Sequence, residues 1–226
     1  LACSICEART YHFYKKIGIK NSDLYPIKSF KITREVNTIT KTSQIFDLEY
    51  KGYNVGRGIA ASYISTRRNY EFNSSDQVFI DEMYTMCANI IENLEAKIKE
   101  INPDKVFLFN GRFAEQNAII EVCSKQNIDY YTFERSSAVG KYKFFKNMLP
   151  HSLIHRGKEL KRLQRESSPK EIEKIGKIWF ENRRGKKESK VQKFLSVQEQ
   201  GALPKGFDST KENIAIFVAS EDEHAA

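Results

Sequence analysis

The most regular hydrophobic pattern in the chain predicts a helix between Ser75 and Glu100. Apolar residues recur there at every third or fourth position, with polar residues between them, which is the spacing of one face of an α-helix. The apolar positions are Ile80, Tyr84, Cys87, Ile91, Leu94 and Ile98. We expect a long amphipathic helix that buries this face in a core.

A β-α-β unit is predicted directly after this helix. Asn102-Pro103-Asp104 ends the helix, and residues 105–109 (KVFLF) form a continuous apolar run, as in a strand covered on both faces. An amphipathic segment follows, and residues 128–134 (IDYYTFE) indicate a second strand. The apolar side of the intervening segment carries Phe113, Ala114, Ala118, Ile119, Val122 and Cys123. We therefore expect an α/β fold with a Rossmann-like parallel sheet and helices on both of its faces.

The patterns on either side of this unit are less regular. Residues 1–20 predict a short helix that ends at Gly18, and residues 26–55 predict an irregular segment with short strands or helical turns. A basic helical segment is expected over 141–200, with charge-dense helices at 156–166, 169–184 and 189–200. Beyond it, residues 201–212 have the composition of a linker, and a further buried strand is expected at 213–220 (NIAIFVAS).

Composition indicates a globular chain. At about 150 residues per domain, its 226 residues correspond to about one and a half domains. No stretch approaches the roughly 20 apolar residues of a membrane helix, and the first residues lack the pattern of a secretory signal. The four cysteines do not make a disulfide framework. We expect a cytoplasmic location and, because the chain begins with Leu1 rather than Met, a fragment.

The positive charge is concentrated in one segment. The formal net charge of the chain is +8, whereas residues 141–193 alone carry 17 basic and 6 acidic residues, a balance of +11. Basic segments of this kind are typical of proteins that bind nucleic acid or an anionic membrane. Trp179, Phe180 and Phe194 follow isoleucines at helical spacing, so we expect them in a core rather than free to stack on bases. For the basic helices 156–193 we therefore favour a solvated face, which could rest on anionic lipid, over a nucleic-acid interface.

Two strand ends carry candidate binding residues. Asn110-Gly111-Arg112 closes the first strand and opens a helix, where glycine permits a positive φ or close ligand approach and arginine lies at the positive end of the helix dipole. Glu134 ends the second strand, where it can bind sugar hydroxyls or act as a base that Arg135 keeps ionised. The alternatives are an ordinary strand-to-helix turn at the first end and a structural ion pair at the second.

Three further motifs give weaker signals. His151 follows the aromatic run 141–147 (KYKFFKN) and is either a base in a cleft or a solvated loop histidine. Gly56-Arg57-Gly58 is either a phosphate-binding turn or a flexible helix start, since the chain has no GxGxxG or GxxxxGKS motif. Cys3 and Cys6 form a CxxC pair that lacks both the further ligands of a zinc site and the preceding strand of a redox motif.

Several sequence segments, taken in their order along the chain, resemble those of a known protein family. The most specific part runs from Pro103 to Arg135, with NGR and ER at two strand ends, together with the closing SEDE. The other segments are CSICEARTYHFYKKIGI, GRGIAASYISTRRN, NMLPHS, IGKIWFENRRGK, VQEQGALP and NIAIFVASEDE. Over essentially all 226 residues, the chain resembles the bacterial capsular-polysaccharide and surface-glycan glycosyltransferases.

This resemblance implies a GT-B architecture, in which two Rossmann-like domains face each other across a cleft. Residues 1–200 would be the acceptor domain without its first β-α unit, residues 201–212 the interdomain linker, and residues 213–226 the first strand and loop of the donor domain. The parent enzyme would transfer a sugar from a nucleotide-sugar to a growing capsular or surface polysaccharide at the inner face of the membrane. The resemblance implies no cofactor or metal in this chain, and a glycan or lipid-linked glycan as acceptor. The fragment alone would be inactive.

Carried over to this chain, the resemblance also assigns the cleft residues. The acceptor side would be lined by Asn110, Gly111, Arg112, Glu134 and Arg135, with His151 nearby. The donor side would contribute Ser220, Glu221, Asp222 and Glu223. Candidates for the catalytic residue are Glu134, Glu221, Asp222 and Glu223. Two alternatives stay open, namely a module that binds nucleic acid or anionic membrane through helices 156–193 and a Rossmann-like domain for a small ligand unrelated to sugars.

Overall fold

The computed structural model describes residues 2–32, 38–135, 140–184, 203 and 206–214. Its helices are α1 (Ala2–Lys16), α2 (Ser43–Phe46), α3 (Gly56–Arg67), α4 (Gln77–Ile101), α5 (Ala114–Lys125), α6 (Leu153–Glu166) and α7 (Pro169–Arg184). Its strands are β1 (Glu49–Tyr50), β2 (Tyr53–Asn54), β3 (Lys105–Phe109), β4 (Asp129–Arg135) and β5 (Tyr142–Lys146). These elements make a mixed α/β fold.

Helix α4 is the element predicted from the hydrophobic repeat. Of the six apolar positions, Leu94 is half-buried and the other five are buried. The helix ends at Ile101. The next residue, Asn102, has a φ of 43°, the left-handed conformation common after helix ends, and Pro103 follows it. The repeat therefore predicted both the helix and its buried face.

The main core lies between α3, α4 and α5. Gly58 lets α3 approach α5 closely, because a Cβ atom at this position would lie 2.6 Å from the Cβ of Asn117. The hydroxyl of Ser62 accepts a hydrogen bond of 2.9 Å from the backbone N–H of Ala114, the first residue of α5. The predicted GRG motif thus lies in the first turn of α3, where Gly56 and Gly58 are buried in helix packing and Arg57 is exposed.

Strands β3, β4 and β5 form one sheet in that order. β3 and β4 are parallel, with Phe109 opposite Phe133, and α5 connects them, which confirms the β-α-β unit. β5 is antiparallel to β4, with Phe144 opposite Phe133, so the expectation of a fully parallel sheet is wrong. Residues 136–141 are too few for a crossover connection, and a chain that returns this soon can only pair antiparallel.

The sheet is covered on one face rather than on both. Leu108, Thr132 and Phe145 are buried on the face that α5 contacts. The opposite face presents aromatic rings that contact one another, and most of them are exposed. They are Phe107, Phe109, Tyr131, Phe133, Tyr142 and Phe144. The prediction that residues 105–109 are buried on both faces is therefore wrong for the described part of the chain.

The basic segment differs from its prediction in two ways. Residues 142–146 form strand β5 and not part of a helical layer. Phe145 is buried on the face of the sheet that α5 contacts, and its neighbours in the strand are exposed. The helices predicted at 156–166 and 169–184 are present as α6 and α7. Trp179 and Phe180 are exposed, however, and not part of a core. The third predicted helix, 189–200, and Phe194 lie outside the described residues.

The two ends of the chain are described in part. Helix α1 confirms the helix predicted over 1–20, and α2, β1 and β2 match the short elements expected within 26–55. Residues 206–214 contain no helix or strand and are nearly all exposed. The strand predicted at 213–220 is therefore absent at Asn213 and Ile214, and its remainder lies outside the described residues. Among the helices that are described, none is both long enough and apolar enough to cross a membrane.

Candidate functional site

The candidate site lies where β3 and β4 end side by side. Because Phe109 is paired with Phe133, the residues that follow them, Asn110 and Glu134, are neighbours at the same edge of the sheet. The backbone N–H of Asn110 extends the ladder by donating to the carbonyl of Phe133 at 2.9 Å. The carboxyl ends of parallel strands are the usual binding edge of an α/β sheet.

A tight turn fixes the backbone after β3. Asn110 has a φ of 59° and Gly111 a φ of 93°, and the N–H of Gly111 donates to the carbonyl of Phe109 at 2.7 Å. Asparagine and glycine are the residues that adopt positive φ most readily. A Cβ at position 111 would lie 2.8 Å from side-chain atoms of Ile120 and Leu149, so the space beside Gly111 is filled by the protein itself. The glycine serves the turn and the packing.

Three polar side chains meet at this edge. The Nδ2 of Asn110 donates a hydrogen bond of 2.8 Å to Oε2 of Glu134 and lies 3.5 Å from Nε2 of His151. Nε2 of His151 is 3.9 Å from the same carboxylate oxygen. The Oδ1 of Asn110 accepts a hydrogen bond of 3.0 Å from the backbone N–H of Arg112, which fixes the amide orientation. Asn110 therefore bridges the carboxylate and the start of α5.

The cluster is open to solvent on one side. Asn110 is buried, whereas the side chains of Glu134 and His151 are 26% and 41% exposed. Oε1 of Glu134 accepts a hydrogen bond of 3.1 Å from the backbone N–H of Arg135. A carboxylate that is fixed on its inner side and accessible from outside can accept a hydrogen bond, or a proton, from a bound hydroxyl group.

The loop after β5 brings His151 to the cluster. Asn147 bonds to the backbone of Tyr130 through both its N–H and its side-chain oxygen, each at 2.9 Å. The hydroxyl of Thr132 donates to the carbonyl of Met148 at 2.7 Å. Together these bonds hold Asn147 and Met148 against β4, and His151 follows three residues later. The sequence left His151 as either a base in a cleft or a solvated loop histidine, and its position depends on the antiparallel strand β5.

The two arginines of the predicted site have different environments. The guanidinium of Arg112 lies over the ring of Phe113, 4.7 Å from its centroid, and the residue is half-buried beside the start of α5. Arg135 is exposed at the next position after Glu134 in β4, and strand alternation places it on the opposite face of the sheet. Arg112 therefore lies at the same sheet edge as Asn110 and Glu134, whereas Arg135 contributes its backbone N–H to Glu134.

The other candidates are the predicted donor-side residues and the cysteines. Ser220, Glu221, Asp222 and Glu223 lie outside the described residues. Cys6 is exposed on α1, and the described residues contain no group of three or more His, Cys, Asp or Glu side chains arranged to hold a metal. Burial raises the pKa of the Cys87 thiol to about 12 and that of Cys123 to about 11. These two thiols are therefore inert core residues.

Comparison with known proteins gives no family assignment. No protein-family model, no curated protein and no solved structure matches the chain. The residues of the chain itself are thus the basis on which its function is inferred.

Proposed function

We propose that this chain is the acceptor-binding part of a glycosyltransferase and that Glu134 is the base that accepts the proton of the acceptor hydroxyl. The observation that supports this role most directly is the Glu134 carboxylate, which Asn110 holds at 2.8 Å beside His151 at the ends of two parallel strands. The NGR and ER motifs of the family resemblance coincide with these two strand ends.

The chemistry requires a base near an oxygen nucleophile. The acceptor hydroxyl attacks the anomeric carbon of a nucleotide-sugar, and the carboxylate of Glu134 takes the hydroxyl proton. A new bond forms between the acceptor oxygen and the anomeric carbon, while the bond from that carbon to the diphosphate breaks. The nucleoside diphosphate leaves with the electron pair. A positioned base of this kind contributes about 10²–10⁴ in rate.

The neighbouring residues suit a polyhydroxyl acceptor. Asn110 orients the carboxylate, and His151 places a second hydrogen-bonding group 3.9 Å from it, which suits adjacent hydroxyls of one sugar. Arg112 lies at the same edge and is a further hydrogen-bond donor for such an acceptor.

Transfer assays with the full-length gene product test the proposal. Radiolabelled UDP-glucose, UDP-galactose, UDP-N-acetylglucosamine and GDP-mannose are supplied as donors, with oligosaccharides from the surface polysaccharide of the source organism as acceptors. Glu134→Gln keeps the shape and the hydrogen bond from Asn110 but removes the base, so we expect kcat/KM to fall about 10²–10³-fold.

Glu82→Gln is the matched control. Glu82 is an exposed glutamate on α4, remote in sequence from both strand ends, and its substitution should leave kcat/KM unchanged. Two results would contradict the proposal. One is transfer by Glu134→Gln at the rate of the unaltered protein, and the other is the failure of the unaltered protein to transfer from any of the four donors.

A further inference from the structure

Helix α6 has its apolar side turned away from the rest of the protein. His155 and Glu159, which lie one helical turn apart, are half-buried, and the His155 ring contacts the ring of Phe145 in β5 with 6.2 Å between centroids. The apolar residues Leu153, Leu160 and Leu163 are 70%, 61% and 44% exposed. An ordinary surface helix has the reverse arrangement. This side of α6 is an apolar stripe that no described part of the chain covers.

Helix α7 carries a second stripe. Ile172, Ile175, Ile178 and Trp179 recur at helical spacing and are between 43% and 67% exposed, and Phe180 next to them is also exposed. Lys170, Lys174 and Lys177 fall on the other side of the helix at the same spacing. Helix α7 is thus divided lengthwise into an apolar side and a basic side.

The two helices together are positively charged. Residues 153–184 contain ten Lys and Arg residues and five Glu residues, a balance of +5. Two of the five glutamates, Glu159 and Glu166, form ion pairs with the single Arg162. The basic residues of this segment from Arg156 to Lys177 are all exposed, so their charge faces solvent.

We propose that α6 and α7 bind the surface of an anionic phospholipid bilayer, with the apolar stripes at the level of the acyl-chain boundary and the basic residues among the headgroups. Low mean hydropathy, a Lys/Arg-rich polar side and Trp, Phe and Leu on the other side are the features of helices that lie in the plane of the interface. This inference goes beyond the proposed glycosyltransferase activity and does not depend on it.

Charge and exposure together select this partner over two others. A nucleic acid would pair with the basic sides but would leave the apolar stripes in water. A second copy of the chain would cover the stripes, but it would bring one segment of charge +5 against another. An anionic bilayer satisfies both the apolar and the basic side of each helix.

Vesicle binding of the 226-residue chain tests the proposal. Trp179 is the only tryptophan in the chain, so its fluorescence reports on α7 directly. With vesicles of phosphatidylcholine and phosphatidylglycerol at 3:1, we expect co-sedimentation, a blue shift of the Trp179 emission and quenching by brominated acyl chains. Vesicles of phosphatidylcholine alone should bind at least about tenfold more weakly, and salt should weaken the binding to anionic vesicles.

Matched variants distinguish membrane binding through the apolar stripes from non-specific binding through any exposed apolar residue. The double variant Leu160→Ser/Ile175→Ser removes one exposed apolar side chain from each stripe and keeps Trp179. Val78→Ser/Ile101→Ser removes two exposed apolar side chains from α4. We expect the first variant to lose at least about tenfold in partitioning to anionic vesicles and the second to bind like the unaltered chain. Circular dichroism verifies that both variants keep their helical content.

Four results would overturn the proposal. The first is no co-sedimentation with anionic vesicles at low salt. The second is binding that Leu160→Ser/Ile175→Ser leaves unchanged, which would mean attraction by charge alone. The third is a dimer, seen by light scattering, that the same variant dissociates, because the stripes would then bind a second copy. The fourth is tighter binding to a 30-nucleotide RNA than to the vesicles.

Discussion

The helical core of α3, α4 and α5 and the pair α6 and α7 have the same kind of sequence pattern but opposite environments. In the core, the apolar side of each helix faces another helix, and Gly58 allows α3 and α5 to approach closely. In the pair, the apolar stripes are exposed, and the half-buried positions of α6 are His155, Gly157 and Glu159. Helical periodicity therefore determines which side of a helix is apolar, whereas burial depends on whether the chain supplies a complementary surface.

The three-stranded sheet shows the same contrast between a buried and an exposed apolar surface on its two faces. The side chains of β3 alternate between the face that α5 contacts and the uncovered aromatic face. Leu108 is buried on the first, while Phe107 and Phe109 are about half exposed on the second. Both faces are apolar, so composition alone does not distinguish them.

The rate of cysteine alkylation should differ more between a buried and an exposed position than any other property considered. Alkylation requires the thiolate, and burial raises the pKa of Cys87 from 9.0 to about 12. At pH 8 the thiolate fraction of Cys87 is then roughly 10³-fold below that of an unperturbed thiol. We expect iodoacetamide to label exposed Cys6 promptly and Cys87 at least about 10³-fold more slowly, as measured by peptide mass spectrometry. Equal labelling of both in the native protein, before any denaturant is added, would show that α4 is not packed as described.

Stability measurements should show the next largest difference. Ile59 is fully buried in α3, so Ile59→Ala leaves a cavity and should lower the free energy of unfolding by about 2–4 kcal/mol. Leu160 is exposed on α6, so Leu160→Ala should change it by less than about 0.5 kcal/mol. Urea denaturation followed by circular dichroism measures both. A loss at Leu160 as large as that at Ile59 would mean that α6 is buried after all.

The sequence was sufficient for α4, for α6 and α7, and for the parallel strand pair. The repeat from Ile80 to Ile98 predicted α4, and the apolar runs around α5 predicted β3 and β4. The sequence did not predict β5. Three of the six residues of the run 141–146 are lysines, and the segment was therefore assigned to the basic helical segment. The sequence was also insufficient for burial, because nothing in the order of residues says whether a partner surface lies opposite Phe107 or Trp179.

The candidate site also has a part that the sequence predicts and a part that only the structure shows. The rule that ligands bind at the carboxyl ends of parallel strands led to Asn110 and Glu134, and the register of Phe109 with Phe133 places them side by side. The approach of His151 depends on β5 and on the loop bonds of Asn147, neither of which has a sequence signature. For Gly111 the sequence predicted either a positive φ or close approach of a ligand. The structure has the positive φ, and the packing against Ile120 and Leu149 becomes visible only in three dimensions.

A double-mutant cycle tests most directly whether Asn110 and Glu134 act as one unit on the acceptor. Asn110→Gly tolerates the φ of 59° and removes the hydrogen bond to the carboxylate. In the transfer assay we expect Asn110→Gly to lower kcat/KM about tenfold, Glu134→Gln about 10²–10³-fold, and the double variant no more than about threefold below Glu134→Gln alone. Two losses that multiply, or a single variant with unchanged kcat/KM, would contradict the account.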